Sequence, residues 1–118
     1  IDNFSVLPGS ESKLLKGLKL GCTGIITATC NVTAGLSRKV YDDFFEKKEQ
    51  TKNKMLCDVR NTFEKFNLIS GLHSFMSDDD GIYENVLPPV SLLKEQDKLQ
   101  LIEELNKLNF TLESLKAA

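Results

Sequence analysis

The stretch FSVLPGSESKLLKGLKLGCTGIITATCNV, residues 4–32, decides how the rest of the chain is read. It opens with a short apolar and partly β-branched run, Phe4 to Leu7, which Pro8-Gly9-Ser10 ends in the way a buried strand is ended. Ser10 fits a helix N-cap, and Glu11 falls in the first turn, where the helix dipole favours an acid. Leu14, Leu15 and Leu18 then share one helix face, Lys13, Lys16 and Lys19 lie largely on the other, and Gly21 ends the segment. A second β-branched run, Gly24 to Thr29, follows. Strand, helix and strand within about 30 residues predict a βαβ unit with parallel strands and a right-handed crossover. The run GIITAT has no polar alternation, as in a strand buried on both faces, yet two parallel strands alone leave open edges. Their neighbours must come from another chain or from residues N-terminal to Ile1.

From Ser37 onward the hydrophobic period changes from two to about three and a half. Ser37 can cap a helix carrying Val40, Tyr41, Phe44 and Phe45, and Leu56, Val59, Phe63 and Phe66 fall on one face of another. Gly71 to Met76 adds a short helical segment before the turn Ser77-Asp78-Asp79-Asp80-Gly81. LPPVS from Leu87 reads as extended, because Pro89 disfavours helix at Pro88. Ser91 is the expected cap of a last amphipathic helix with Leu101, Ile102, Leu105 and Leu108 facing one way, and the tail TLESLKAA is expected to fray.

Composition bounds the function. The 118 residues are 41% hydrophobic and 27% charged, which suits one small folded domain rather than a disordered chain. Fifteen basic against seventeen acidic residues give a net charge of −2, with no basic cluster of the kind nucleic acid requires, so no nucleic-acid partner is expected. Lys47, Lys48, Lys52 and Lys54 are interleaved by Glu46, Glu49 and Asp58, as on a solvated helix face. Three cysteines, Cys22, Cys30 and Cys57, make an odd count without paired spacing, which points to a reducing, cytoplasmic setting. No apolar run approaches the ~20 residues of a membrane helix, and no basic-then-apolar leader is seen.

Catalytic and metal motifs fail one by one. His73 is the only histidine and no cysteine pair has ligand spacing, so no metal site is expected. If Gly81 took the sixth place of an EF-hand loop, Met76 and Leu87 would fall at its first and twelfth, and neither can bind calcium. GSESK lacks the features of a phosphate loop, and Gly17, Gly21 and Gly24 do not fit G-x-G-x-x-G. Cys30 follows a strand, but no cation near it in sequence would activate the thiol, and it reads better as a small buried hydrophobe. What remains is the pair of strand ends, PGSES and TATCN. Gly9 lets a ligand approach the backbone, and the N–H groups at Ser10 to Ser12 suit a small anion, although a plain strand-to-helix turn explains Pro-Gly-Ser equally well.

These segments, with the later LPPVSLLKEQ, resemble the C-terminal part of the dihydrodipicolinate synthase and N-acetylneuraminate lyase family, from about Phe4 to Phe110. The resemblance implies an α/β fold, the C-terminal portion of a (β/α)8 TIM barrel. Residues 1–35 would be its last two βα units, and residues 36–118 the final barrel helix and a C-terminal helical bundle. It also implies a Schiff base between a strand-borne lysine and the keto carbon of pyruvate or a related 2-oxo acid, with the protonated imine as electron sink and no further cofactor. That lysine, the proton-shuttling tyrosine and the carboxylate-binding hydroxyl pair all belong to parts of the barrel outside this sequence, so no catalytic residue is assigned and the chain alone would be inactive. By position, Gly9 and Ile26 match main-chain sites facing the pyruvyl group, Ser10, Glu11 and Ser12 match a loop that contacts substrate hydroxyls, and Ala28 stands where the lyases often carry serine. Glu11 has two readings, accepting hydrogen bonds from a polyhydroxylated substrate or favouring the helix start. A 2-keto-3-deoxy sugar acid aldolase or dehydratase fits GSE better than a sialic acid lyase or a dihydrodipicolinate synthase. A homotetramer and a missing N-terminal barrel half are the partners implied. The rival reading is a noncatalytic helical module whose open strand pair self-associates or binds a partner.

Overall fold

The computed structural model describes residues 2–117. The chain forms two compact units, residues 1–60 and 61–118. Helices dominate both, and among the described residues there is no β-strand.

The first unit departs from the expected strands for a reason that lies in one residue. Residues 4–8 and 22–27 are extended, and two backbone bonds join them: Thr23 N–H donates to Val6 O at 3.0 Å and Ile26 N–H to Pro8 O at 3.2 Å. Both indices rise together, so the segments run parallel. A regular parallel ladder would next need the N–H of residue 8 to reach Thr23 O, and Pro8 has none. The second bond then falls at Ile26 rather than Ile25, a one-residue slip. The pairing predicted from sequence is therefore present as an interrupted contact and not as strands.

Between these segments lie a 3₁₀ turn, Glu11–Lys13, and helix α1, Leu14–Lys19. Gly17 has no Cβ where one would sit 3.4 Å from Pro8 Cγ and Cys22 Cβ, so α1 rests closely on both flanking segments. The helix ends in a Schellman arrangement: Gly21 adopts φ +88°, its N–H donates to Leu18 O, and Cys22 N–H donates to Gly17 O at 2.8 Å. Helix α2 spans Cys30–Phe45, eight residues longer at its start than a Ser37 cap would allow. Thr27 Oγ1 accepts the Cys30 N–H at 3.1 Å, which starts the helix early, and Ser37 is buried within it. Leu14, Leu18, Val40 and Leu56 form the core of this unit, flanked by Leu15, Ile25, Leu36, Tyr41 and Phe44. Leu56 stands on α3, Asn53–Glu64.

The second unit is built on α4, Leu68–Met76, packed against α5, Glu95–Lys107. Phe63, Phe75, Leu101, Leu105 and Phe110 are its most buried apolar residues, with Phe75 edge-on to Phe63 and stacked on Phe110 at centroid distances of 5.7 and 5.8 Å. Asn67 caps α4 by accepting the Ser70 N–H at 3.0 Å. Helix α5 starts four residues after the Ser91 expected as its cap, because residues 91–94 run extended and Leu93 N–H is taken by Ser74 Oγ at 2.9 Å. The tail forms a last helix, α6, Leu112–Lys116, where fraying was expected: Thr111 and Ser114 exchange bonds in a capping box. No helix among the described residues is long and apolar enough to cross a membrane.

Candidate functional site

The two segments singled out from sequence lie side by side in the first unit. Besides the Ile26 to Pro8 bond, a Cβ on Gly9 would stand 4.0 Å from Ile26 O, so the main chains of Gly9 and Ile26 adjoin, and both residues are exposed. Ala28 is half-buried, and its carbonyl accepts both the backbone N–H of Asn31 at 3.2 Å and its side-chain amide at 2.8 Å. Ser10 is nearly buried and caps the 3₁₀ turn, with its hydroxyl 2.8 Å from that of Ser12.

Glu11 lies deepest, with 0% of its surface exposed. Its Oε1 accepts the hydroxyls of Thr27 and Thr33, each at 2.8 Å, and that of Thr29. Its Oε2 accepts Arg60 Nη1–H at 3.0 Å, and the same nitrogen lies 3.0 Å from Thr29 Oγ1. Burial would push the carboxyl up, but bonds from Thr29, Thr27, its own backbone N–H and Thr33 outweigh it and hold the carboxyl below its ordinary value. A carboxylate so engaged is ionised at neutral pH and joins three parts of the chain: the turn after the first extended segment, the start of α2, and α3. Its chemical capacity is to fix geometry, since both oxygens are occupied by protein donors.

Sequence reasoning named Gly9, Ser10, Glu11, Ile26 and Ala28 but passed over Thr27, Thr29, Thr33 and Arg60. A signal for Arg60 existed. It stands four residues after Leu56 and three before Phe63, within the apolar stripe of α3, and a cation on a buried stripe requires a partner. The hydroxyls at 27, 29 and 33 gave no comparable sign, because threonine is equally at home as a β-branched strand residue.

Elsewhere in this unit a groove of about 290 Å³ is lined by Leu14, Ile25, Cys30, Ala34, Ser37 and Tyr41, among others, with Cys30 Sγ 3.7 Å from Ser37 Oγ. Cys22, Cys30 and Cys57 are free thiols, and burial, then the charges of Asp58 and Glu11, push Cys57 up. His73, in the second unit, donates Nδ1–H to Tyr83 O at 2.7 Å. Among the described residues no group of three or more His, Cys, Asp or Glu side chains could hold a metal ion.

A model of the dihydrodipicolinate synthetase family matches residues 1–108. No curated protein matches the sequence. Among solved structures, the chain is similar to the crystal structure of YagE, a prophage protein belonging to the dihydrodipicolinic acid synthase family from E. coli K12, in complex with pyruvate, with a TM-score of 0.68 at 21% identity. That alignment covers 91% of this chain and 38% of YagE, and at such identity the likeness is one of fold.

Proposed function

The chain belongs to the dihydrodipicolinate synthetase family, and from that premise we propose that it forms the C-terminal portion of a class I, Schiff-base lyase acting on pyruvate or a related 2-oxo acid. In this reading Phe4 to Leu7 and Gly24 to Ala28, which overlap the extended segments 4–8 and 22–27, are the last two strands of a (β/α)8 barrel. Residues 1–35 are then its last two βα units and residues 36–118 its final helix and C-terminal helical region. The strand-borne lysine that would form the imine lies in the part of the barrel this chain does not contain, so the chain alone is inactive. Lys13, Lys16 and Lys19 are exposed on and beside α1, away from a strand end.

The observation that carries the proposal is the adjacency of Gly9 and Ile26 at one rim, within a chain matched by the family model over residues 1–108. Sites of parallel α/β barrels are built from the loops at that edge of the strands. Gly9, Ser10, Ile26 and Ala28 would line the ligand, with Glu11 beneath them. The intact enzyme is proposed to be a cytoplasmic homotetramer, and a 2-keto-3-deoxy sugar acid aldolase or dehydratase is the favoured chemistry within the class. Borohydride reduction of the intact protein with pyruvate tests this: a stable adduct on one lysine upstream of this segment is expected, and its absence overturns the reading.

One observation favours the rival, a noncatalytic module that self-associates. Phe4, Val6, Leu7 and Ile26 are 68, 49, 42 and 71% exposed, an apolar surface that a partner would cover. Intact mass separates the two: a protein beginning at or just before Ile1 supports the module.

A further inference from the structure

We propose that Glu11 and Arg60 are positioning residues for the ligand wall. The buried pair clamps residues 8–12 onto residues 26–33, so that the main-chain groups of Gly9 and Ile26 present one surface to a 2-oxo acid. This inference rests on the Schiff-base reading above and assigns the pair no contact with the reacting atoms.

Four observations carry it. Three side-chain bonds tie the first loop to the second through one carboxylate, whose Oε1 collects hydroxyls from Thr27, Thr29 and Thr33. Two of those threonines flank Ala28, and Thr27 also accepts the N–H that starts α2, so displacing the carboxylate displaces the end of the second segment. The residue before Glu11 is Ser10 and the next is Gly9, so the same displacement moves the first wall. Arg60 then closes the cluster from α3, bonding Glu11 Oε2 and Thr29 Oγ1 from a single nitrogen. A main-chain wall has no side chain of its own to correct an error in position, and misplacement by about 1 Å is enough to cost roughly a hundredfold.

The test uses the intact protein and its Glu11→Gln, Arg60→Met and Arg60→Lys variants. Amide hydrogen exchange is read over residues 9–12 and 24–30, with residues 101–105 as the internal control. Borohydride trapping is titrated with pyruvate in parallel. In Arg60→Met and Glu11→Gln, exchange in both loops should quicken by about tenfold while the control is unmoved. The pyruvate concentration for half-maximal trapping should rise by roughly tenfold or more at an unchanged final extent, and Arg60→Lys should restore part of the loss. A structural role alone would alter exchange but leave half-saturation where it was, and that result overturns the proposal. Unchanged exchange in Arg60→Met overturns it as well. A wild-type protein that traps no pyruvate fails the Schiff-base reading itself and takes this inference with it, an outcome distinct from wild-type trapping that the variants leave untouched.

Discussion

Replacing Arg60 by leucine removes the guanidinium from a carboxylate that has no exposed surface, which makes this substitution the sharpest probe of the first unit. The Glu11 carboxylate would keep its three hydroxyl donors but lose the charged one at 3.0 Å. Breaking a buried pair by removing one partner costs about 3–5 kcal/mol, because the remaining charge stays desolvated. The Glu11→Gln change in the same background removes that charge while keeping an acceptor for the hydroxyls, so the double variant should be more stable than the sum of the singles predicts by roughly 2 kcal/mol. Urea unfolding followed by helical circular dichroism measures all four corners of the cycle. The pH dependence fixes the sign independently. Glu11 is depressed in the folded protein, so its contribution is fully present above the unfolded value near 4.3 and disappears as pH falls through the lower folded value. The cost of Arg60→Leu should therefore be largest at neutral pH and shrink at acid pH as the carboxyl left without its cation takes up a proton. Additivity within about 0.5 kcal/mol, or a penalty independent of pH, would refute the idea that charge pairing rather than packing is what Arg60 supplies.

Three further outcomes follow from other parts of the chain. Lys47 occupies the left-handed position after α2, at φ +56°, where Asp43 O accepts the Lys48 N–H at 2.8 Å; Lys47→Gly should raise stability by about 1 kcal/mol in thermal or urea unfolding. Phe75→Ala should cost about 3–5 kcal/mol, since the ring packs against both Phe63 and Phe110, and loss of helical signal at a lower urea midpoint would record it. On size-exclusion chromatography the isolated 118-residue chain should elute as oligomers or aggregates, and polar replacements at Phe4 and Ile26 should shift it toward monomer; a wild-type monomer at high concentration contradicts this.

Legibility in the sequence followed the range of the interactions involved. Helix faces were readable because the period of three to four residues is local: Leu56, Val59 and Phe63, and likewise Leu101 and Leu105, are fully buried as their spacing required. Gly21 was readable as a helix end for the same reason, and Asn109 fills the same left-handed position with the residue next most suited to it, whereas Lys47 does so without any compositional mark. The helix starts were less legible. Thr27 begins α2 through its own side chain, but β-branched residues before it argued for strand to the end of Thr29. Likewise Ser91 had the chemistry of a cap, and only the long-range bond from Leu93 N–H to Ser74 explains why α5 waits until Glu95. Glu11 was picked out for its place in a loop, yet its partners lie 16 to 49 residues away, and no local rule pairs residues over such distances.

The first unit thus places its groups in an unusual order, and that order bears on the proposed function. Its carboxylate is enclosed, while Phe4 and Ile26 are mostly exposed on the extended segments. Exposed apolar surface forfeits about 25 cal/mol for each Å² left in water, so these side chains stabilise nothing until another surface meets them. The Glu11 carboxylate, in contrast, takes its bonds from residues 27, 29, 33 and 60 of the same unit. The unit therefore joins residues 8–12 to residues 26–33 through its own polar contacts and leaves these apolar side chains exposed. Under the barrel reading proposed above, that means the rim is ordered before the remaining strands cover the apolar side chains. If the rim were instead ordered only by docking, Glu11→Gln would leave the isolated chain as stable as before and weaken only its association. Measuring both in one preparation decides between the two.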